Sequence, residues 1–222
     1  MIQTKGSAFV YGGIFYTTIV LLWPIFMALS EVDGGIQEQL LIISNDPSIY
    51  KLNFIIASLV APAITLIMIL LAYGIPSQKR HPIHHLIGVI CLVPYVILVS
   101  ISYISQYTIL FSYFSIDNMD AARQWYFPNA DSIPYFLNQL GYSFFAISAL
   151  LIGHKLLYEK GIPKAIGILL WLSGALSIVA FVGYMGNNHI LNASTIISGL
   201  LTLPMGILVI IVGFKMKRKY SG

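Results

Sequence analysis

Three of the five histidines lie together in the stretch SQKRHPIHH, residues 77–85. Imidazole nitrogens are common ligands for zinc, copper and haem iron, so His81, His84 and His85 are candidate metal ligands. We expect His154 to lie on the same side of the molecule, at the end of a later apolar run. Two facing imidazoles, from His84 or His85 and from His154, could hold a haem, or they could join His81 on a zinc or copper ion.

The spacing of these three histidines matches the HxxHH box of membrane di-iron desaturases and hydroxylases. Those enzymes hold two irons with imidazoles from several such boxes, whereas only His154 and His189 remain elsewhere in this chain. His189 is also predicted to lie on the opposite side. We therefore reject di-iron chemistry and interpret the stretch as a tight turn that needs no cofactor, with haem or metal binding as the alternative.

A second candidate site is indicated where amide and phenol side chains cluster near the ends of two other apolar runs. Buried amides need hydrogen-bond partners, so these groups either bond to one another across a helix pair or line a wet pocket. Such a pocket would suit a small uncharged amphiphile. The candidate ligand-binding residues are Tyr103, Gln106, Tyr107, Tyr135, Asn138, Gln139 and Tyr142, with Arg123 and Trp125 from the intervening connector as a lid.

Sequence signatures of catalysis are missing. The chain has no GxSxG elbow, no HExxH motif and no glycine-rich phosphate loop. Its single cysteine, Cys91, lies in an apolar run, which rules out a disulfide or a cysteine-based metal site within the chain. No catalytic residue is assigned, and the sequence favours a protein that is not an enzyme.

The composition predicts an all-α integral membrane protein. Hydrophobic residues make up 58% of the chain and charged residues only 9%, which leaves too little polar surface to cover a soluble globule. A bilayer core about 30 Å thick needs roughly 20 apolar residues per helical span. We predict one membrane domain over residues 1–222, with outer cap loops at 30–51 and 108–134. The six spans are expected near 8–29, 52–74, 86–107, 135–154, 165–184 and 194–214.

Charge distribution predicts the orientation of this bundle in a plasma membrane. Lysine and arginine near span ends are retained on the cytoplasmic side. Six spans put ten of the twelve basic residues on one side, with Lys51 and Arg123 opposite, and put every acid except Glu159 on the other side. Both termini are therefore predicted to be cytoplasmic. The basic residues behind the net charge of +4 are then explained by their cytoplasmic placement. We therefore expect the lipid bilayer and not nucleic acid as a partner.

Glycines and prolines within the spans predict how the helices pack and bend. Gly199, Gly206 and Gly213 recur every seven residues, which keeps them on one helix face and allows close packing of a neighbouring helix. Pro62 and Pro94 should kink their helices, as should Pro204, because each removes a backbone donor.

The two outer connectors are each expected to contain a short helix. Residues 36–43 form an amphipathic pattern between a glycine pair and a turn sequence. In the second connector, Asp117 is a reasonable N-cap for a helix that runs towards Trp125. These two connectors are predicted to form an outer cap over the bundle.

The layout of the whole chain resembles a widespread prokaryotic group of multi-pass membrane proteins known only as a domain of unknown function. In that group, span four leads into span five through a turn of glycine, a hydrophobic residue, proline and a basic residue, which is followed by a second glycine. Residues 161–167 have this pattern, with Pro163 at the start of a helix and Lys164 at the membrane border. The resemblance implies the six-span fold, and it implies no activity and no site residues.

Three hypotheses for function follow. The first is a membrane protein without catalytic activity that binds or passes a small hydrophobic or amphiphilic molecule, or that serves as a partner subunit or homo-oligomer. The second is the substrate-binding subunit of a vitamin or metal uptake transporter, with its ligand captured under the outer cap. The third is a membrane haem or metal protein or enzyme that uses His81, His84, His85 and His154.

Overall fold

The computed structural model describes residues 2–75 and 82–219, and this part of the chain contains helices and no strands. The helices are α1 (Ile2–Leu29), α2 (Ile36–Asn45), α3 (Ser48–Ser58), α4 (Val60–Gly74), α5 (Pro82–Ile90), α6 (Leu92–Tyr107), α7 (Ile109–Phe114), α8 (Met119–Trp125), α9 (Ile133–Leu157), α10 (Ile162–Met185), α11 (His189–Asn192) and α12 (Ser194–Lys219).

Six helical segments are long and apolar enough to cross a membrane, as the sequence predicts. Most begin earlier or end later than expected, so residues 48–51 and 109–114 are helical and not part of the outer connectors. The sequence ILFSYF of α7 is apolar and continues the preceding helix, which is why the true end lies beyond Tyr107. Spans 1 to 6 are Lys5–Leu29, Ser48–Gly74, Ile83–Phe114, Ile133–Leu157, Ile162–Met185 and His189–Arg218.

Proline interrupts two of these spans. Span 2 breaks at Leu59 and span 3 at Cys91, in each case three residues before a proline, Pro62 or Pro94. A proline ring removes one helical hydrogen bond and clashes with the carbonyl one turn earlier, so the break falls where the sequence predicts it. At Pro204 the helix is not broken, since α12 continues through it.

The six spans form a closed ring. Each span packs against the next one in the chain, and span 1 packs against span 6. One end of the ring carries the two connectors with α2 and α8, and we call this the outer end. The opposite end, where span 2 ends and span 3 begins, is the inner end.

Glycines set the closest approaches between neighbouring spans. A Cβ at Gly213 would lie 2.7 Å from the backbone nitrogen of Val10, and one at Gly206 would lie 2.9 Å from the ring of Tyr16, so spans 1 and 6 meet at these positions. The prediction is wrong for Gly199, where an added Cβ would meet nothing within 4 Å. Of the three glycines spaced seven residues apart in span 6, two therefore allow close packing of span 1.

Both outer connectors contain the expected short helices, and they contact each other. The Tyr126 hydroxyl donates to the Gln39 side-chain oxygen of α2 over 3.0 Å. The N-cap of α8 is Asn118, whose side chain accepts from the Ala121 N–H, and not Asp117. Asp117 instead adopts the left-handed conformation at φ 54°, which Asp tolerates in turns.

Candidate functional site

Gln106 lies at the centre of the polar residues predicted at the outer end. Its side chain is fully buried, and its amide nitrogen donates to the Trp125 carbonyl over 2.8 Å and to the Ser105 hydroxyl over 3.0 Å. Its amide oxygen accepts from the Tyr50 hydroxyl over 2.8 Å and from the Phe127 N–H over 2.9 Å. We call Gln106 with these four partners the outer network. It clamps the second connector onto spans 2 and 3.

A second chain of hydrogen bonds joins spans 4 and 6 at the same end. The Asn192 amide donates to the Tyr135 hydroxyl over 2.7 Å, and the Gln139 amide donates to the Asn192 oxygen over 3.3 Å. Tyr135 and Gln139, both predicted ligand-binding residues, are thus brought together with Asn192 as their shared partner. Asn192, which begins an NAS sequence, has its amide engaged in these bonds and is not presented for glycosylation.

The two predicted lid residues act through their backbone. The Trp125 carbonyl belongs to the outer network, and the Arg123 carbonyl accepts from the Asn129 side chain over 3.1 Å. The Arg123 side chain itself is exposed. Tyr107 is half-buried against the core.

Deeper in the ring, phenol groups from three spans converge around one amide. Tyr16 of span 1, Tyr95 and Tyr103 of span 3 and Tyr142 of span 4 lie close to one another, and Asn138 lies beside the Tyr103 phenol. We call these five residues the phenol cluster. The rings of Tyr95 and Tyr142 meet edge to face, with centroids 5.5 Å apart.

Polar atoms in the phenol cluster are incompletely bonded. The Tyr16 hydroxyl donates to the Thr202 carbonyl over 3.1 Å. The Tyr95 hydroxyl and the Asn138 amide nitrogen, by contrast, are buried with no hydrogen-bond partner among the described residues. An unpaired buried donor costs free energy, more so at a depth that water does not reach. The cluster therefore holds donors that a guest molecule could use.

Tyr142 is the one member of the phenol cluster that is not buried. It lies on the same helix face as Asn138, Phe145 and Ala149, all of which are buried. Tyr142 is half-buried, so part of its residue surface stays accessible.

Sequence reasoning identified only part of the phenol cluster. Tyr103, Asn138 and Tyr142 were predicted, whereas Tyr16 and Tyr95 were missed. Tyr95 carries a usable signal, because it lies eleven residues before Gln106 and so shares its helix face. Tyr16 has no comparable signal, because only the closure of span 1 against span 6 brings it to the cluster.

The inner end does not bring the predicted metal ligands into one group. His85 contacts the Tyr73 ring edge to face with centroids 5.2 Å apart, and the Nε2 of His154 lies 3.3 Å from the Tyr158 hydroxyl. Over residues 2–75 and 82–219, no three His, Cys, Asp or Glu side chains lie close enough to share a metal ion. His81 lies outside the described residues, and His84 is exposed.

A lysine lies beside His85 at the inner end. The Lys155 ammonium donates to the carbonyl oxygens of Ala72, over 2.7 Å, and Ile75, over 3.1 Å. It thereby caps the end of span 2 and ties span 4 to it, as cations do at helix C-termini. Lys155 was expected outside the spans, but span 4 extends to Leu157 and includes it.

No family model, no curated protein and no solved structure matches this chain. The resemblance to a prokaryotic group of unknown function therefore stays a prediction.

Proposed function

We propose that this protein resides in a membrane and binds a small uncharged amphiphile inside its ring, beside Tyr142. The observation that carries the proposal is the combination of an accessible Tyr142 surface on an otherwise buried helix face with unpaired donors on Tyr95 and Asn138. Ligand sites are mostly apolar with a few placed polar groups, and the two unpaired donors would supply such groups in the apolar surroundings of the phenol cluster.

The distribution of charge supports an uncharged ligand. Every Asp, Glu, Lys and Arg in the six spans lies within about one turn of a span end, so none belongs to the phenol cluster. A charged ligand at this depth would have no partner of opposite sign, and burying an unpaired charge costs several kcal/mol or more.

A larger side chain at Tyr142 tests this function. The chain, purified in mild detergent after incubation with a cell lipid extract, is analysed by mass spectrometry for bound small molecules. We expect one to be retained by the wild type and by Tyr73→Trp, which changes an exposed tyrosine at the inner end. Tyr142→Trp should lose it, because the larger ring takes the space that a ligand beside Tyr142 needs. Equal retention by Tyr142→Trp, or no retained molecule in the wild type, would contradict the proposal.

We further propose that both termini face the cytoplasm of a plasma membrane. The support is the order of charges along the sequence, in which six spans put ten of the twelve basic residues on one side and seven of the eight acids on the other. Epitope tags after residue 222 and within the second outer connector test it in intact cells. The connector tag should be accessible from outside and the terminal tag only after permeabilisation; the reverse pattern would overturn the orientation.

A further inference from the structure

We propose that one anionic phospholipid binds on the outside of the ring, at the inner end of the contact between spans 1 and 6, with Lys217 and Arg218 on its phosphate. This site requires the spans to lie in a bilayer, but it is independent of any ligand beside Tyr142. The inference follows from the position of the two cations, from the apolar surface next to them and from the local charge.

Lys217 is held where spans 1 and 6 meet. A Cβ added at Gly6 would lie 2.9 Å from the Lys217 Cγ, so the stem of the lysine packs against the start of span 1. Its ammonium lies 5.3 Å from the centre of the Tyr11 ring, a distance typical of a cation-π contact. Tyr11 is 69% exposed, and tyrosine is common at the border between membrane and water. The positive charge therefore lies on the outside of the ring, beside an aromatic side chain at the membrane border.

Arg218 supplies a second cation within reach of the same phosphate. Its Cα lies about 3.8 Å from that of Lys217, and its side chain is exposed and can turn towards the lysine ammonium. Both side chains can thus donate to oxygens of one phosphate. Arginine binds phosphate with two parallel hydrogen bonds, and lysine binds it as a point charge.

Apolar side chains of both spans are exposed next to these cations. On span 6, Phe214 and Ile211 precede Arg218 by four and seven residues, so the three lie on one helix face, and all are exposed. On span 1, Ile14 lies one turn deeper than Tyr11 and is exposed as well. A phosphate held by the cations therefore has an apolar surface beneath it along which acyl chains can lie.

Local charge decides the sign of the lipid headgroup. Residues 1–30 and 160–222, which include spans 1, 5 and 6, contain no acidic residue. Lys5, Lys215 and Lys219 add to the positive charge at this end of spans 1 and 6. Each lysine or arginine near a membrane surface favours an anionic lipid by about fivefold, so an anionic headgroup is preferred to a zwitterionic one.

Dioleoyl phosphatidylglycerol and dioleoyl phosphatidylcholine provide a matched test, because they share acyl chains and differ in the net charge of the headgroup. Native mass spectrometry of the full chain in detergent, titrated with each lipid, measures the affinity for the first bound lipid. We expect the wild type to favour phosphatidylglycerol by about tenfold or more. Lys217→Gln with Arg218→Gln should remove most of this preference and leave the affinity for phosphatidylcholine unchanged. The control variant, Lys160→Gln with Lys164→Gln, removes two exposed lysines where span 4 leads into span 5 and should keep the preference.

Further variants separate a lost site from a lost fold. The exchange Lys217→Arg with Arg218→Lys conserves charge and should retain the preference, and Tyr11→Leu should lower it by only about two- to threefold, as one exposed cation-π contact implies. Equal binding of the two lipids by the wild type would overturn the proposal. An equal loss in the control variant would also overturn it, because the preference would then be a general property of the basic residues at the inner end.

A soluble headgroup tests whether the occupant is a lipid. Glycerophosphoglycerol, which is phosphatidylglycerol without its acyl chains, should not displace the bound lipid, and displacement would overturn the lipid as occupant. Failure of the phospholipid site leaves the proposed ligand beside Tyr142 in place, because that ligand is tested separately by Tyr142→Trp.

Discussion

The outer network and the phenol cluster share span 3 and both combine an amide side chain with phenol groups, yet their polar atoms differ in how completely they are hydrogen-bonded. Both polar atoms of the Gln106 amide are bonded, and its partners come from three separate elements. In the phenol cluster, where Tyr95 lies about three turns deeper than Gln106, Tyr95 and Asn138 keep unpaired donors. What the sequence presents as one polar site is therefore a structural clamp above a candidate binding site.

Backbone availability explains the contrast. Gln106 faces the end of α8 and the segment after it, where the Trp125 carbonyl and the Phe127 N–H have no helical partner and bond to its amide. The residues of the phenol cluster lie within helices, whose backbone groups mostly bond to each other, although the Thr202 carbonyl also accepts from Tyr16. Side chains there have few backbone partners, and the Tyr95 hydroxyl and the Asn138 amide nitrogen have no partner among the described residues.

The largest effect is expected from Gln106→Leu. This change leaves the Tyr50 hydroxyl, the Trp125 carbonyl and the Phe127 N–H without their buried partner, at a cost of about 1–3 kcal/mol for each group. We expect the free energy of unfolding in detergent to fall by about 3 kcal/mol or more. Gln124→Leu is the matched control, since Gln124 is exposed in the same connector. Equal stability of the two variants would show that the outer network is not a clamp.

A smaller loss is expected where the phenol cluster meets span 6. In Gly206→Val, the new side chain overlaps the Tyr16 ring and the Thr17 hydroxyl, and overpacking of this kind typically costs about 1–3 kcal/mol. Gly199→Val, two turns away on the same helix, enters open space. Thermal unfolding of both variants measures the difference. The assignment of Gly206 as the contact with span 1 fails if the two behave alike.

Tyr126→Phe should cost about 1 kcal/mol, because it removes one hydrogen bond, to Gln39, that joins the two outer connectors. Burial raises the pKa of Tyr126 to about 12. The folded state therefore holds the neutral phenol, so its contribution is complete below about pH 10 and is lost as the pH rises through about 12.

The measurement for Tyr126 is the difference in unfolding free energy between wild type and variant across this pH range. It should be constant below about pH 10 and shrink above it. Tyr11→Phe, at an exposed position, should show no such dependence. The measurement covers about pH 8 to 12, which is about two units on either side of the unperturbed tyrosine pKa. If the difference in unfolding free energy for Tyr126→Phe stays constant over this range, the phenol is not held neutral by burial.

The smallest effect on stability is expected from Tyr95→Phe. This variant tests most directly the contrast between the bonded outer network and the incompletely bonded phenol cluster. This change removes a hydroxyl that has no hydrogen-bond partner among the described residues, so stability should stay within about 1 kcal/mol of the wild type or rise. Tyr126→Phe serves as the matched change with a bonded hydroxyl. If Tyr95→Phe destabilises the chain as much as Gln106→Leu does, the phenol cluster is a structural network and the candidate site is lost.

Much of the fold could be predicted from the sequence, and less of the site. The six spans and the breaks before Pro62 and Pro94 follow from local composition and from a missing backbone donor. The extension of span 3 through α7 was missed because Thr108 and the serines nearby are as common at helix ends as within helices. At the site, residue type identified Gln106 and Tyr142 as polar groups in apolar surroundings, but could not separate their roles.

What the sequence by itself determined is the class of the protein, since hydrophobic runs of sufficient length and charges confined to their ends depend only on which residues follow one another. The tertiary structure decided which polar atoms are satisfied. Whether Gln106 finds a loop carbonyl, whether Lys155 reaches the end of span 2, and whether Tyr95 is left unpaired all depend on residues far apart in the chain. Hydrogen bonds form only over about 3 Å, so they are set by the packing of the ring and not by the spacing of residues along one helix.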